Sequence, residues 1–394
     1  MQTILEQAKA LAPEIISWRH QIHMQPEVGL DLPKTVALVT EELKKMGYEP
    51  QECGGGVVAV LDSGKPGKTL LLRADMDALP MDEDSGEAFS SQVAKSAHTC
   101  GHDTHTSMLL GAAKLLMDNK DNLAGGKVKF MFQPGEEGHG GGHKMVEAGV
   151  LENPHVDAAM GFHSFAGLDV PTGHVVYSPG PAMASCDMFT ITVTGKGAHG
   201  ARPEAGVDPL NILCHIHGML QTINSRERPQ QEPVVLTIGQ ISAGDAPNTI
   251  PAEGTMSGTI RAFNEEVRQF VKRRLVEIAQ GVASTLGGKA EVVFKAGTAA
   301  TINDPKVAGE LFRSIQEIVP PERLVELPAS MGSEDYAEVS LRVPSGFFWL
   351  GMGNEAEGYP YSVHSPKADF DESAMPLGTA LFFHCTKEWL KNNQ

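Results

Sequence analysis

Residues 57–80, VVAVLDSGKPGKTLLLRADMDALP, hold two apolar runs separated by a Gly/Pro turn and read as two β-strands. The second run ends on Asp75 and Asp77. Downstream the texture repeats. CGHDTH (100–105) opens onto SMLLGAAKLLMDN (107–119), helical by composition, and KVKFMFQ (127–133) reads as a strand. A helix around KMVEAGV (144–150) and the strand AAMGFHS (158–164) follow. Strands alternating with helices predict a largely parallel α/β sheet. Polar residues fall where strands end: Asp75 and Asp77 after one, Glu136 and Glu137 after another, His163 in a third. In open α/β sheets sites form at the carboxyl ends of strands, so three segments remote in sequence are expected to converge there. Upstream, the first 50 residues read as helical, with Val36, Val39 and Leu43 on one face and Gly47 as a stop.

From about residue 187 the pattern changes. MFTITVTG (188–195) is a strand, and Asp208 as N-cap with Pro209 behind it starts a helix over 207–224. Strands VVLTIGQIS (234–242) and GTMSGTIRAF (254–263), a helix from Asn264 with Glu265 and Glu266 at its positive end, and the strand AEVVFKA (290–296) complete the order βαββαβ. That order is ferredoxin-like. The helix PKVAGELFRSIQEIV (305–319) and the strand GFFWLGMG (346–353) return to the first domain. The expected architecture is therefore an α/β catalytic domain in two parts, 1–183 and 299–394, with an inserted α+β domain, 184–298. A length of 394 residues suits two cores better than one.

A net charge of −17 opposes binding to nucleic acid or anionic membranes. No apolar run reaches the ~18 residues of a membrane span, and the first residues lack the basic region of a signal peptide. The five cysteines (53, 100, 186, 214 and 385) are odd in number and scattered. That favours a reducing, cytoplasmic setting over a disulfide framework.

In CGHDTH, Cys100 and His102 flank one small residue, so both can face one centre. Taken alone, such residues near a helix start are more often packing or capping groups. His98 and His105 are expected to be structural or to lie behind the ligands. In FQPGEEG (132–138), Glu136 and Glu137 follow a strand between glycines, where a carboxylate can enter a cleft. One of an adjacent pair can bind metal while the other takes a proton from an activated water. His163 and His364 each read alone as buried, satisfied histidines. With Cys100, His102 and Glu137 they make five ligands, enough for two ions if one group bridges.

Together the stretches RADMDALP, HTCGHDTHT, FQPGEEG, GFHS, GKGAHGARPEAGVDP, NTIPAEGTMSGTIRAF, MGSEDYA and HSPKADFDE resemble the M20 metallopeptidase clan. Within it the likeness is to the amidohydrolase branch of hippurate hydrolases, N-acyl-amino-acid deacylases and plant auxin-conjugate hydrolases. The resemblance implies that Cys100, His102, Glu137, His163 and His364 hold two divalent ions (Zn2+, Mn2+, Co2+ or Ni2+), with Cys100 bridging. It implies that Glu136 is the general base. His199, by itself a loop histidine beside glycines, would cross a homodimer interface of inserted domains to stabilise the oxyanion. The inserted domain would thus serve as lid and dimerisation unit. Asn248 and Arg261 match positions that bind the substrate carboxylate or position the amide, and a role in turn or sheet suits them equally. Two departures stand out. GFHSFAGLDV lacks an aromatic–proline segment after the ligand histidine, and GHGGGHKMVEAG carries His139 and His143 where relatives have small residues. Both are expected at the pocket wall.

The implied reaction is hydrolysis of an N-acyl amino acid to a carboxylic acid and a free amino acid. A dipeptidase or carboxypeptidase would use the same machinery, with Glu334 or Asp335 as candidate partners for a free α-ammonium. A non-catalytic metal-binding protein on the same fold would have no need of Glu136.

Overall fold

A computed structural model describes residues 3–295 and 297–394. Met1, Gln2 and Ala296, at the ends of an expected helix and an expected strand, lie outside the described residues. The chain divides into two compact units. One comprises the residues up to Ala182 with Ile302–Pro328 and Asp335–Gln394, and the other comprises Met183–Thr301 with Ala329–Glu334.

The first unit is built on an eight-stranded mixed sheet. Its spatial order is Gln51–Cys53, Gly56–Asp62, Lys127–Gln133, Thr69–Asp75, Ala158–Phe165, Ser345–Gly351, Val175–Tyr177 and Leu324–Glu326. The four central strands, from 127–133 to 345–351, run parallel. The 69–75 strand, TLLLRAD, is buried along its whole length, as a strand covered on both faces must be. Asp75, Gln133 and His163 thus lie near the carboxyl ends of three adjacent strands. Helix His102–Asp118 is buried on nearly every side, which suits its run of Leu, Met, Ala and Gly, since a helix apolar all round belongs inside. It packs on helices Ala12–Met24 and Met375–Asn392. Phe162 joins sheet to helices, with ring centroids 5.5 Å from Phe348 and 5.1 Å from Phe382.

The second unit is a four-stranded antiparallel sheet in the order Val234–Ala243, Glu253–Ala262, Asp187–Thr194, Lys289–Phe294. This is the ferredoxin-like arrangement. Helix Pro209–Thr222 is capped by Asp208, and helix Glu265–Thr285 by Asn264. Their apolar faces, Ile212–Ile216–Leu220 and Val267–Val271–Leu275–Ile278, join Ile191 and Val193 in one core. Arg268 grips the buried Asp187 with two bonds, 2.6 and 2.9 Å. Among the described residues no helix is long and apolar enough to cross a membrane.

Gly101 precedes the 102–118 helix at φ +86°, and an added Cβ would come within 2.9 Å of the Phe370 ring. An L-residue in the left-handed region costs about 1–2 kcal/mol before any clash. We therefore expect Gly101→Ala to destabilise the metal-free protein by at least that amount in urea unfolding followed by circular dichroism. An unchanged midpoint would contradict the strain assigned to this turn.

Candidate metal centre

The turn at Gly101 lets Cys100 and His102 face the same side of the strand ends. The Cys100 sulfur lies 3.2 Å from His364 Nε2 and 3.6 Å from His163 Nε2. Glu137 Oε1 lies 3.2 Å from His364 Nε2. Three overlapping groups have ligand atoms within 4.8 Å of one another: Cys100 with His102 and His163, Cys100 with Glu137 and His364, and His102 with Glu136 and Glu137. All five residues expected as ligands, with Glu136, are thus gathered at one place, and Cys100 belongs to two of the groups. His364 has φ +65°, rare for a residue with a side chain, and its amide is held by the Thr99 carbonyl at 2.9 Å.

Asp77 organises this cluster. Its Oδ1 accepts the Glu136 amide at 2.9 Å and its Oδ2 the Glu137 amide at 3.1 Å. Its carbonyl lies 2.8 Å from His102 Nδ1. His102 Nε2 is buried and has no hydrogen-bond partner among the described residues. An imidazole anchored through one nitrogen, with the other buried without a hydrogen bond and 3.6 Å from the Asp75 carboxylate, is the arrangement a metal ligand takes. The donors fit a divalent cation in chemistry as well, combining imidazole, carboxylate and thiol.

The electrostatics agree. Burial works against charge on His102, but Asp75 and Cys100 more than offset it and hold its pKa well above the usual value. Burial pushes the Cys100 thiol well up, with Glu137 and Glu136 adding to the shift. Both directions mark a place that favours added positive charge. A bound dication answers both, since a coordinating thiol loses its proton outright. Burial lowers His163 to about 4, so it stays neutral, as ligation requires.

Glu136 is placed beside the ligands by a second anchor. The Asp335 amide lies 3.3 Å from its Oε1. The Asp335 carboxylate is itself bound by Arg73 Nη2 (3.1 Å), Gln133 Nε2 (2.6 Å) and the Gly142 amide (2.8 Å). Asp335 thus serves the first unit's interior, and its carboxylate is already engaged by cation and amides. This goes against its expected use as partner to a substrate ammonium.

His105 pairs with Asp75 at the bottom of the cluster, and His98 is buried with neither nitrogen bonded among the described residues. His105 also forms a candidate ligand group with Asp75 and His102. The two histidines of the glycine-rich loop differ from each other. His139 lies against Gly29, whereas His143 is exposed between Glu147 (3.2 Å) and Glu338 (3.3 Å).

In the second unit, His199 and Thr249 face each other across a short antiparallel ladder. The Gly200 amide reaches the Asn248 carbonyl at 2.8 Å, so His199 and Asn248 are neighbours. His199 Nδ1 accepts the Ala201 amide at 3.0 Å, which puts the proton of the neutral ring on Nε2. Arg261 Nη1 donates to the Met331 carbonyl at 2.6 Å. The double role of Asp77 is not visible in the sequence. Nor is the buried contact of Arg19 and His23 with Asp103, at 3.0 and 2.8 Å. The signal for Asp77 was its place at a strand end; its partners lie 25 to 60 residues away.

Comparison with known proteins accords with this site. The model of peptidase family M20/M25/M40 matches residues 71–388. "Thermostable carboxypeptidase 2" of Saccharolobus solfataricus is 38% identical over 385 residues, covering 95% of this chain and 96% of that protein. "N-acetyl-L-cysteine deacetylase" of Bacillus subtilis is 33% identical over 386 residues, covering 98% and 90%. Among solved structures, the Bacillus subtilis YxeP protein, titled a dinuclear metal-binding peptidase of family M20, superposes with a TM-score of 0.82 at 30% identity, covering 97% of this chain and 99% of that one. The chain belongs to peptidase family M20/M25/M40 and is a metal-dependent amidohydrolase.

Proposed function

We propose that this chain hydrolyses the amide bond of N-acyl amino acids, releasing a carboxylic acid and a free amino acid. The observation that carries the reading is the gathering of Cys100, His102, Glu137, His163 and His364 at one place with Glu136 beside them; we assign Glu136 as the base and the other five as ligands. Cys100, His102, Glu137, His163 and His364 would hold two divalent ions, with Cys100 shared. When bound, the ions supply Lewis acidity, polarising the scissile carbonyl and making a water acidic near neutral pH. Glu136 takes the proton from the attacking water and gives it to the departing amine. The Asp335 amide, 3.3 Å from Oε1, keeps the carboxylate in register for both transfers. The protonated Nε2 of His199 donates to the oxyanion, a contribution of several kcal/mol in such sites. Arg261 and Asn248 are assigned to the substrate carboxylate and to positioning of the amide. The donor set suits Zn2+, Mn2+, Co2+ and Ni2+.

The likeness to a carboxypeptidase supports a second reading that differs less than its name implies. Removing the last residue of an N-blocked peptide and deacylating an amino acid break the same bond. Each needs a free carboxylate on the amine side, and they differ only in the acyl part. A dipeptidase must hold a free α-ammonium; of its two candidate partners, Asp335 is bound by Arg73, and Glu334 is a buried carboxylate of the second unit.

Homodimer formation through the inserted domain has support in its surface. Helix 209–222 exposes Leu210 (44%) and Met219 (47%), and the neighbouring edge strand exposes Ile241 (41%). A two-fold interface there would let each subunit lend His199 to the other. All five cysteines are free, in keeping with a cytoplasmic setting.

Chelation should abolish turnover and added metal should restore it, with reconstitution by each of the four ions deciding which serves best. Glu136→Gln should keep wild-type metal content while kcat falls about 10²–10⁴-fold. Glu137→Gln should instead lose metal, measured by elemental analysis after dialysis. The opposite pattern would exchange the two roles. The dimer is tested by mixing inactive His199→Ala with inactive Glu136→Gln under subunit exchange. Half the dimers are then mixed, each with one site holding both wild-type groups, so about a quarter of sites should recover. Mixed dimers without activity would show that His199 serves its own subunit or none.

A further inference from the structure

Asp103, the carboxylate inside CGHD, is used by none of the steps above. It is fully buried in the first turn of helix 102–118, directly after His102 and three residues from Cys100. Its Oδ2 takes two bonds from helix 12–24: Arg19 Nε at 3.0 Å and His23 Nδ1 at 2.8 Å. His23 is secured from behind by Glu83, 3.2 Å from Nε2, and Glu83 in turn accepts the Ser91 amide at 2.7 Å.

The guanidinium of Arg19 has a second set of contacts. Nη1 donates to the Phe370 carbonyl at 3.2 Å and to Glu372 Oε1 at 2.9 Å, and Nη2 lies 3.9 Å from Asp369. The Phe370 ring is the group that crowds Gly101, and the chain reaches Phe370 six residues after His364. One side chain, 1% exposed, thus ties together the turn bearing Cys100 and His102 and the segment bearing His364. Those segments are 84 and 351 residues from Arg19 in sequence. His163 is placed by the sheet instead, and Glu137 by its amide on Asp77 in the loop that follows a strand. The remaining ligands come from two segments, joined at the front by the His364 amide on the Thr99 carbonyl at 2.9 Å and behind that bond by Arg19.

We infer that Arg19, with His23, is a positioning residue of the metal centre: by fixing Asp103 and Phe370 it sets the distance between the Cys100–His102 turn and His364. The inference rests on the ligand assignment proposed above. The planar fork is what makes the geometry. A lysine at position 19 keeps the charge but cannot bind Asp103 through Nε while Nη1 holds Phe370 and Glu372. A buried ion pair with a purely structural role would lower stability when altered and leave the ligands of the folded protein where they were.

Cobalt titration separates these outcomes. Metal-free protein is titrated with Co2+, and the thiolate–cobalt charge-transfer band and the d–d bands report affinity and geometry at Cys100. For Arg19→Lys we expect a 10–100-fold loss of Co2+ affinity, the usual effect of removing a group that orients a ligand, together with altered band positions or intensities. Arg268→Lys, which disturbs the buried Asp187 pair in the other unit, should leave Co2+ affinity within about twofold of wild type. If Arg19→Lys does not fold, His23→Gln carries the test, with an expected loss of about 10-fold. Folded variants with wild-type affinity and spectrum, or an equal loss in Arg268→Lys, would overturn the inference. Absence of the thiolate band in the wild-type protein would instead defeat the ligand assignment on which it rests.

Discussion

Asp77 is the residue on which the centre depends. Three pieces of chain meet there: the end of its own strand, the loop after the 127–133 strand, and the start of the 102–118 helix. Its carboxylate binds the two successive amides of Glu136 and Glu137, and its carbonyl orients His102. Hydrogen bonds to an ionised carboxylate are stronger than those between neutral groups, and inside a protein the low dielectric strengthens them further. Two adjacent glutamates would otherwise repel each other and turn toward solvent. Anchoring both amides on one anion fixes their backbone and leaves each side chain to a different duty. The same residue selects the nitrogen that His102 presents. Division of labour between Glu136 and Glu137 thus begins with a contact that neither side chain makes.

Around this anchor the site collects negative charge: Asp75, Asp77, Glu136 and Glu137 beside an acidifiable thiol. A fold can carry such a concentration only if something offsets it. Behind the cluster, Arg73 provides part of the offset, bound to Asp75 at 3.0 Å and Asp335 at 3.1 Å. Arg19 and His23 do the same for Asp103. Asp103 sits well below the usual carboxylate range because His23 and Arg19 outweigh the burial that opposes it. At the front of the cluster Cys100 and His102 stand beside Glu136 and Glu137. Divalent metal is the natural complement, and the pKa directions of His102 and Cys100 express that imbalance.

Much of this was legible in the sequence because it is local. Runs such as TLLLRAD and KVKFMFQ read as strands and their alternation with helices as a parallel sheet, the one small residue between Cys100 and His102 lets both face one centre, and Asp208 as a cap and Asn264 as a helix start need no tertiary context. The ferredoxin-like order followed from the succession of periods. What stayed hidden depends on adjacency in space. Nothing near Asp77 says that Glu136 will arrive 59 residues later. Nor does an arginine in an amphipathic N-terminal helix reveal that it reaches Phe370. His143, expected at the pocket wall because relatives have small residues there, is exposed and flanked by Glu147 and Glu338. In sequence, Asp335 is a candidate partner for a dipeptidase's ammonium only as an available carboxylate, and Arg73 and Gln133 engage that carboxylate.

The central claim is that two ions share Cys100 at the carboxyl ends of three strands. Anomalous diffraction from crystals of the zinc-loaded protein, measured on both sides of the zinc edge, addresses it directly. The account predicts two zinc peaks about 3.5–4 Å apart, each about 2.3 Å from the Cys100 sulfur. His102, His163, Glu137 and His364 should be distributed between them. A single peak, or two ions of which one or neither touches Cys100, would contradict it.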